Sequence, residues 1–212
     1  MSLSSTDMEN KRSAYILCSL SSSSFSGDYF SRLFYFCEVN NIFLTVIMLD
    51  ELEIINQTVI NNLDIAKAKQ KVQSLKRKIS SSLDTNSKYL SSVAKWATYK
   101  SIPFIMKCSE LCSELYNSNL SFRNNCRNQI FKNLHPILRE KNISRKDNKN
   151  LDKLSKYLIS EISLKFYLIN SKGFNFEIAP KSEMELMQNI YNNKYPELTN
   201  LLSNKIEFIV FP

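Results

Sequence analysis

Glycine is nearly missing from this chain of 212 residues: there are two, at positions 27 and 173. Neither G-x-G-x-x-G nor a Walker sequence occurs, so the backbone loops that cradle nucleotide phosphates are excluded. The single histidine, His135, stands before Pro136 and has no partner by spacing. It reads as structural, and no H-x-x-H-type nucleotide signature can form. Cysteine is sparse too: five residues, an odd number without framework spacing, fit free thiols in a reducing compartment rather than a disulfide scaffold. Cys108 and Cys112 stand four apart on an expected helix, but no second ligand pair accompanies them, so they read as ordinary thiols. No metal and no cofactor is expected. No apolar run reaches the ~20 residues of a membrane span. The opening "MSLSSTDMENKR" lacks an apolar signal core, so residues 1–12 are expected as a flexible N-terminus and the protein as cytoplasmic, with no membrane partner.

What is present is a soluble composition, 43% apolar and 23% charged, long enough for one domain over 13–212. A net charge of +8 favours an anionic partner, nucleic acid foremost. Residues 14–20 (AYILCSL) and 42–49 (IFLTVIML) read as buried strands, with a helix from about Asp28, an N-cap after Gly27, between them. That is a βαβ unit with parallel strands, and runs apolar on both faces call for helices on each side of the sheet. Leu63 to Leu83 turns helical, with Ile65, Ala68, Val72, Leu75 and Ile79 on one stripe. A third strand is expected at 103–107 (PFIMK), then a helix from Ser109, another over 119–138, a basic loop over 139–150 and a helix from Leu151 to about Leu168. A turn at Gly173, a strand "FNFEI", a helix near 182–192 and a strand over 206–211 close the chain. The fold class is α/β, Rossmann-like, with a mostly parallel sheet.

Three constellations carry chemistry. In doubly wound sheets ligands sit at the carboxyl ends of strands, which is where "SAYILCSLSSSSFSG" ends in its serine cluster. A serine there is a candidate nucleophile, in a chain with almost no histidine to activate it. In "KYLISEIS", Tyr157 and Glu161 share a helix face beside Leu154, Leu164 and Leu168. Glu161 is either an exposed carboxylate at the edge of a core helix or a pocket carboxylate that holds a substrate ammonium. Lys67, Lys69, Lys71, Lys76, Arg77 and Lys78 crowd three turns of one helix, either as a solvated face or as contacts for RNA phosphates.

Together these segments resemble the cyclodipeptide synthase family, over most of the chain. The family's first motif, H-x-[LVI]-[LVI]-G-[LVI]-S followed by an aromatic-Ser pair, aligns without a gap on "SAYILCSLSSSSFSG", placing Ser19 at the nucleophile and Phe25-Ser26 at the pair. The same register continues through "LTVIMLD". A slip of two residues would make Ser21 the nucleophile. The second motif, Y-[LVI]-x-x-E-[LVI]-P, is met from Tyr157 to Ile162, with Ser163 for the proline. Leu17 replaces the motif's glycine and Ser13 its histidine. Ser22 and Tyr195-Pro196 resemble the branch that carries Tyr-Pro, with Tyr191 a rival for the late tyrosine.

The resemblance implies a fold similar to the catalytic domain of class I aminoacyl-tRNA synthetases, acting without ATP. It implies two aminoacyl-tRNA partners per product and a monomeric chain. Ser19 would attack the aminoacyl ester, Glu161 and Tyr157 would hold the amino group, and a second aminoacyl-tRNA would extend the chain to a dipeptide. Cyclisation, with Tyr195 relaying a proton, would release a 2,5-diketopiperazine of the kind made in secondary metabolism. Tyr15, Leu17, Ser22, Ile47, Leu164 and Pro196 would bind substrate. Leu17 in place of glycine would shrink the first pocket to suit alanine or glycine. Two other readings use the same residues: a tRNA-binding module without chemistry, and an aminoacyl-tRNA-dependent transferase with another acceptor.

Overall fold

The computed structural model describes residues 12–22, 24–83, 85–141, 143–144, 147–171, 173–180, 184–204 and 206–212, the side chains of 135, 136 and 171 excepted. The segment 1–11 and the His135 side chain therefore lie outside the described residues. The elements are β1 (Arg12–Cys18), α1 (Gly27–Val39), β2 (Ile42–Met48), α2 (Asp50–Ile60), α3 (Ile65–Ser82), β3 (Leu90–Lys95) and α4 (Trp96–Tyr99). They continue with α5 (Pro103–Ser118), α6 (Leu120–Glu140), α7 (Asn148–Ser171), β4 (Phe176–Ala179), α8 (Glu185–Tyr191), α9 (Pro196–Thr199) and β5 (Glu207–Val210). All five strands are parallel, in the order β3-β2-β1-β4-β5. The order reverses at β1: one crossover leads away on one side and the next on the other, so a crevice opens at the carboxyl end of β1.

Alternation along the strands sorts the core into faces. Ala14, Ile16 and Cys18 of β1 pack with Phe30 and Leu33 of α1 and with Val72 and Ile79 of α3. Tyr15 points the other way, with Ile47, Trp96, Ile105 and, from α7, Leu164 and Leu168. A third cluster is mostly helical and joins α2, α5, α6, α7, α8 and α9. Cys108, Cys112 and Cys126 are buried free thiols within it.

Two expectations fail. Residues 103–107 are the first turn of α5, not a strand: Pro103 sits at the helix start, and Ile105, Cys108, Cys112 and Leu115 are buried at helical spacing. A five-residue apolar run cannot separate strand from helix, and here the downstream period decides. The third strand is instead β3, "LSSVAK", which pairs with β2 from the sheet edge and is mostly exposed. With no face buried it carries no alternation to read. The cap of α1 is also displaced: Ser26 rather than Asp28 accepts from the Tyr29 amide at 3.3 Å, and Asp28 falls in the first turn. Helix α2 forms where the apolar pattern assigns no element, and the basic loop is shortened from both ends by α6 and α7.

The scarcity of glycine has a structural answer. Asn41, Asn62 and Asn193 adopt positive φ of 51°, 50° and 60° directly after the caps of α1, α2 and α8. That left-handed position is normally filled by glycine, with asparagine the next choice; Gly173, at φ 63°, fills the turn before β4. Alanine at Asn41, Asn62 or Asn193 is expected to destabilise by about 1 kcal/mol each, and glycine to stabilise by a few tenths. Thermal or urea unfolding of the two sets checks this; equal losses in both would show that asparagine side-chain bonds, not backbone strain, matter there.

Candidate active site

Continuing the alternation of β1 past its end carries Tyr15 and Leu17 on to Ser19, facing α7. The serine loop, residues of α2 and α7, and the carboxyl end of β4 enclose one cavity of about 850 Å³. Leu17 lines it from β1, Ser19, Ser21 and Ser22 from the loop that follows, Tyr157, Glu161 and Lys165 from α7, and Glu177, Ala179 and Pro180 from β4 and its exit. Residues some 140 positions apart in sequence thus meet where the strand order reverses. Of the aromatic-Ser pair, Phe25 is buried against Tyr29 and Phe30, and Ser26 caps α1.

Behind the serines stands a residue that sequence reasoning did not single out. Glu53, in the first turn of α2, is fully buried. Ser19 Oγ donates to Glu53 Oε2 at 3.1 Å, and Ser21 Oγ donates to Glu53 Oε1. Gln57, one turn on, donates from Nε2 to Ser21 Oγ at 2.7 Å and to Glu53 Oε1 at 3.3 Å. Asn61 Nδ2 donates to Gln57 Oε1 at 2.9 Å and so fixes which way that amide faces. The only trace in the sequence is a Glu-Gln-Asn series at i, i+4 and i+8 within "ELEIINQTVINN", which without the fold reads as a solvated face.

The inward face of α7 carries Tyr157, Glu161 and Lys165 in successive turns. Lys165 is buried and pairs with the equally buried Glu177, which also accepts from the Tyr15 hydroxyl at 2.9 Å. Buried ions persist only when paired and bonded in this way. Glu161 has just a 3.9 Å contact to the same ammonium, which is committed to Glu177. Burial therefore pushes the Glu161 carboxyl up to about 7, Lys165 opposing and the Glu177 charge assisting. The Tyr157 phenol is driven well above its ordinary range by burial first, then by the charges of Glu161 and Glu53, while a hydrogen bond with Ser19 acts against this. Tyr157 thus stays neutral between Ser19 and Glu161. Tyr15 is raised likewise, by burial and then by Glu177.

Of the other anticipated binding residues, Leu17 and Ser22 line the cavity. Tyr15, Ile47 and Leu164 are wholly buried in the cluster beneath it. Tyr195 does not reach the cavity: it is buried against Phe122 at 5.0 Å between ring centres, with Asn125 donating to its hydroxyl, and Pro196 is exposed at the start of α9. Tyr191 is not a lining residue either, although it lies close enough to Tyr15 to raise that phenol's pKa. On α3, Lys69, Lys71, Arg77 and Lys78 are exposed, and Lys71 reaches the cavity rim. Lys67 pairs with Asp64 at 3.4 Å on the surface. Lys76 turns inward to Asp50 at 2.9 Å with 18% of its side chain exposed, and is neutralised there. Among the described residues no group of His, Cys, Asp and Glu could hold a metal ion, and no helix is long and apolar enough to cross a membrane.

The Glu161 shift can be read directly. Because folding raises this carboxyl from 4.5 to about 7, its contribution to stability is fully present below pH 4.5 and is lost as pH rises through about 7. Infrared difference spectra should show a protonated carboxyl band that vanishes with a midpoint near pH 7 and is absent in Glu161→Gln. A band that titrates near 4.5 instead would mean that the side chain is solvated.

No family model and no curated protein matches the sequence, but solved structures do. A cyclodipeptide synthase from Bacillus thermoamylovorans superposes with a TM-score of 0.71 at 16% identity, over 95% of this chain and 88% of that one. The cyclodipeptide synthase from Candidatus Glomeribacter gigasporarum, solved bound to Phe-tRNAPhe, gives 0.65 at 21% identity, over 96% and 89%. The tyrosyl-tRNA synthetase of Archaeoglobus fulgidus, complexed with L-tyrosine, gives 0.54 at 10% identity, over 91% of this chain and 53% of that one. The chain therefore has the Rossmann-like fold that cyclodipeptide synthases share with this tyrosyl-tRNA synthetase.

Proposed function

We propose that this chain is a cyclodipeptide synthase: it moves an aminoacyl group from tRNA to Ser19, extends it with a second aminoacyl-tRNA and releases a cyclic dipeptide. One observation carries this reading. A serine at the end of β1 and the Tyr157–Glu161 pair of α7 face one cavity at the topological switch point. The bound tRNA of the structural neighbour from Candidatus Glomeribacter gigasporarum supports the same class of substrate.

The steps follow from the groups present. An aminoacyl-tRNA ester is already activated, so serine needs less help than in amide cleavage, and no ATP is called for. Glu161, whose nearest cation serves another carboxylate, is suited to an α-ammonium, with Tyr157 donating beside it. The amine of the Ser19-bound residue attacks the ester of the second aminoacyl-tRNA, releasing that tRNA and leaving a dipeptidyl ester on Ser19. Attack of the dipeptide's free amine on that ester closes the ring and frees product and Ser19. Tyr195, buried away from the cavity, is assigned no part in this relay, and the branch that carries Tyr-Pro is supported by sequence alone. Tyr15, Ile47 and Leu164 fill the space beneath Leu17, in keeping with a small first residue such as alanine or glycine.

Mass spectrometry of medium from cells expressing the chain should reveal a species of two amino acids less two waters, one of them small. Ser19→Ala should abolish it while tRNA binding persists. Loss in Ser21→Ala with retention in Ser19→Ala would move the nucleophile two residues on. A silent medium together with retained tRNA binding would favour the binding module.

We further propose that α3 meets the tRNA backbone through its outward cations. Alanine at Lys69, Arg77 and Lys78 should each flatten the salt dependence of tRNA affinity by about 0.7–0.9 in log–log slope. Lys76→Ala, whose ammonium is held by Asp50, should leave the slope unchanged.

A further inference from the structure

Resting on the aminoacyl-serine reading, we propose that Glu53 is the base that takes the Ser19 proton, with Ser21 as the path by which that proton reaches the departing tRNA. The hydrogen-bond directions carry this. Asn61 donates to Gln57, Gln57 to Ser21, Ser21 to Glu53, and Ser19 to the other oxygen of the same carboxylate. Each donor in the network points toward Glu53, and both of its carboxylate oxygens are engaged as acceptors. Gln57 is fixed by Asn61 to present its amide nitrogen, so the proton on Ser21 is turned to the carboxylate. Ser19 Oγ thus lies in hydrogen-bond contact with a buried proton acceptor, which is the geometry required of a general base.

The second half concerns access. Glu53 has no exposed surface and does not line the cavity, whereas Ser21 is exposed and does. As Ser19 Oγ bonds to the aminoacyl carbonyl carbon, its proton passes to Glu53. As the ester bond to the terminal ribose oxygen breaks, the Ser21 hydroxyl turns from Glu53 to that oxygen and gives it its proton. Rotation of the protonated Glu53 carboxyl then presents the proton received from Ser19 to reprotonate Ser21. The carboxylate is restored, tRNA leaves with a neutral hydroxyl, and no other reactant is needed. In the second transfer and again in ring closure an amine loses a proton while the departing oxygen, first of the second tRNA and then of Ser19, gains one, so the same carboxylate serves again. The two serines of the cluster are then not rivals: one is acylated, and its neighbour two residues on moves the proton.

The test is single-turnover transfer of labelled aminoacyl groups from a total aminoacyl-tRNA pool to the purified full-length chain, with acid quench. Filter binding of the same pool and thermal unfolding run alongside. Glu53→Gln, close in shape, should slow acylation by about 10²–10⁴-fold without loss of tRNA binding. Glu53→Ala should be slowed similarly and recover on addition of formate, but not of chloride at equal ionic strength. This second variant decides the matter if the glutamine form unfolds. Ser21→Ala should slow acylation without abolishing it. Wild-type rates in Glu53→Gln, or no formate rescue of Glu53→Ala, overturn the assignment while leaving the acyl-serine reading intact. Acylation that survives Ser19→Ala but not Ser21→Ala overturns the proton path. A wild-type chain that binds the pool and takes up no label sinks the reading on which the proposal rests, and the proposal with it.

Discussion

Everything at this site depends on the position of β1. It is the strand at which the sheet changes direction, paired in parallel with β2 on one side and β4 on the other. Being central, it is apolar on both faces, and alternation then leaves no choice about where its continuation points. Residues of odd number face α7, so a serine at 19 must look into the crevice that the order reversal opens. A strand shifted by one residue would aim Cys18 or Leu20 there instead, and both are buried in the face covered by α1 and α3. Chemistry and fold are specified by the same register.

Within that crevice the charges are ordered by how each is compensated. Lys165 and Glu177, with the Tyr15 hydroxyl, form a closed set: one cation, one anion and one neutral donor, all buried. Breaking such a set would leave a bare buried charge, a loss of about 3–5 kcal/mol, so it behaves as a fixed wall. Glu161 meets the wall through a 3.9 Å contact with Lys165. Its carboxyl rises to about 7 because burial outweighs the attraction of Lys165 and the Glu177 charge adds to the rise. A cation bound beside it would favour the ionised form.

Legibility in the sequence followed burial on both sides of an element. β1 and β2 are uninterrupted apolar runs, and both were readable, as was the face that joins Tyr157 to Glu161. β3 was not, because "LSSVAK" at the sheet edge buries almost nothing and so has no pattern. Residues 103–107 were misread because a short apolar stretch is common to strands and helices, and the deciding period lay downstream in Cys108, Cys112 and Leu115. Glu53, Gln57 and Asn61 were invisible for a different reason. Polar residues one turn apart on a helix ordinarily face water, and only the packing of α2 beneath the serine loop turns them inward. Lys76 shows the converse: it sits in a basic series on the exposed helix, yet Asp50, at the carboxyl end of β2, draws it in. Tyr195-Pro196 matched a motif by residue type, but packing against Phe122 and Asn125 holds that tyrosine in the helical cluster.

The serine cluster itself is explained by parity. Ser19 and Ser21 differ by two residues, so each is turned toward the same side of the sheet end, and one carboxylate can reach both. Their bonding then separates them. Ser21 both accepts from Gln57 and donates to Glu53, so its oxygen and its proton are engaged within the protein. Ser19 donates to Glu53 and has the Tyr157 phenol beside it. Ser21, exposed and bonded to both Gln57 and Glu53, suits proton transfer, its hydroxyl turning from the carboxylate to the departing oxygen. A hydroxyl whose proton is already directed at a carboxylate, with its oxygen on the cavity wall beside the Tyr157 phenol, suits attack. The division of labour that a histidine triad obtains from three residue types is available here from one glutamate and two serines, because β1 ends where it does.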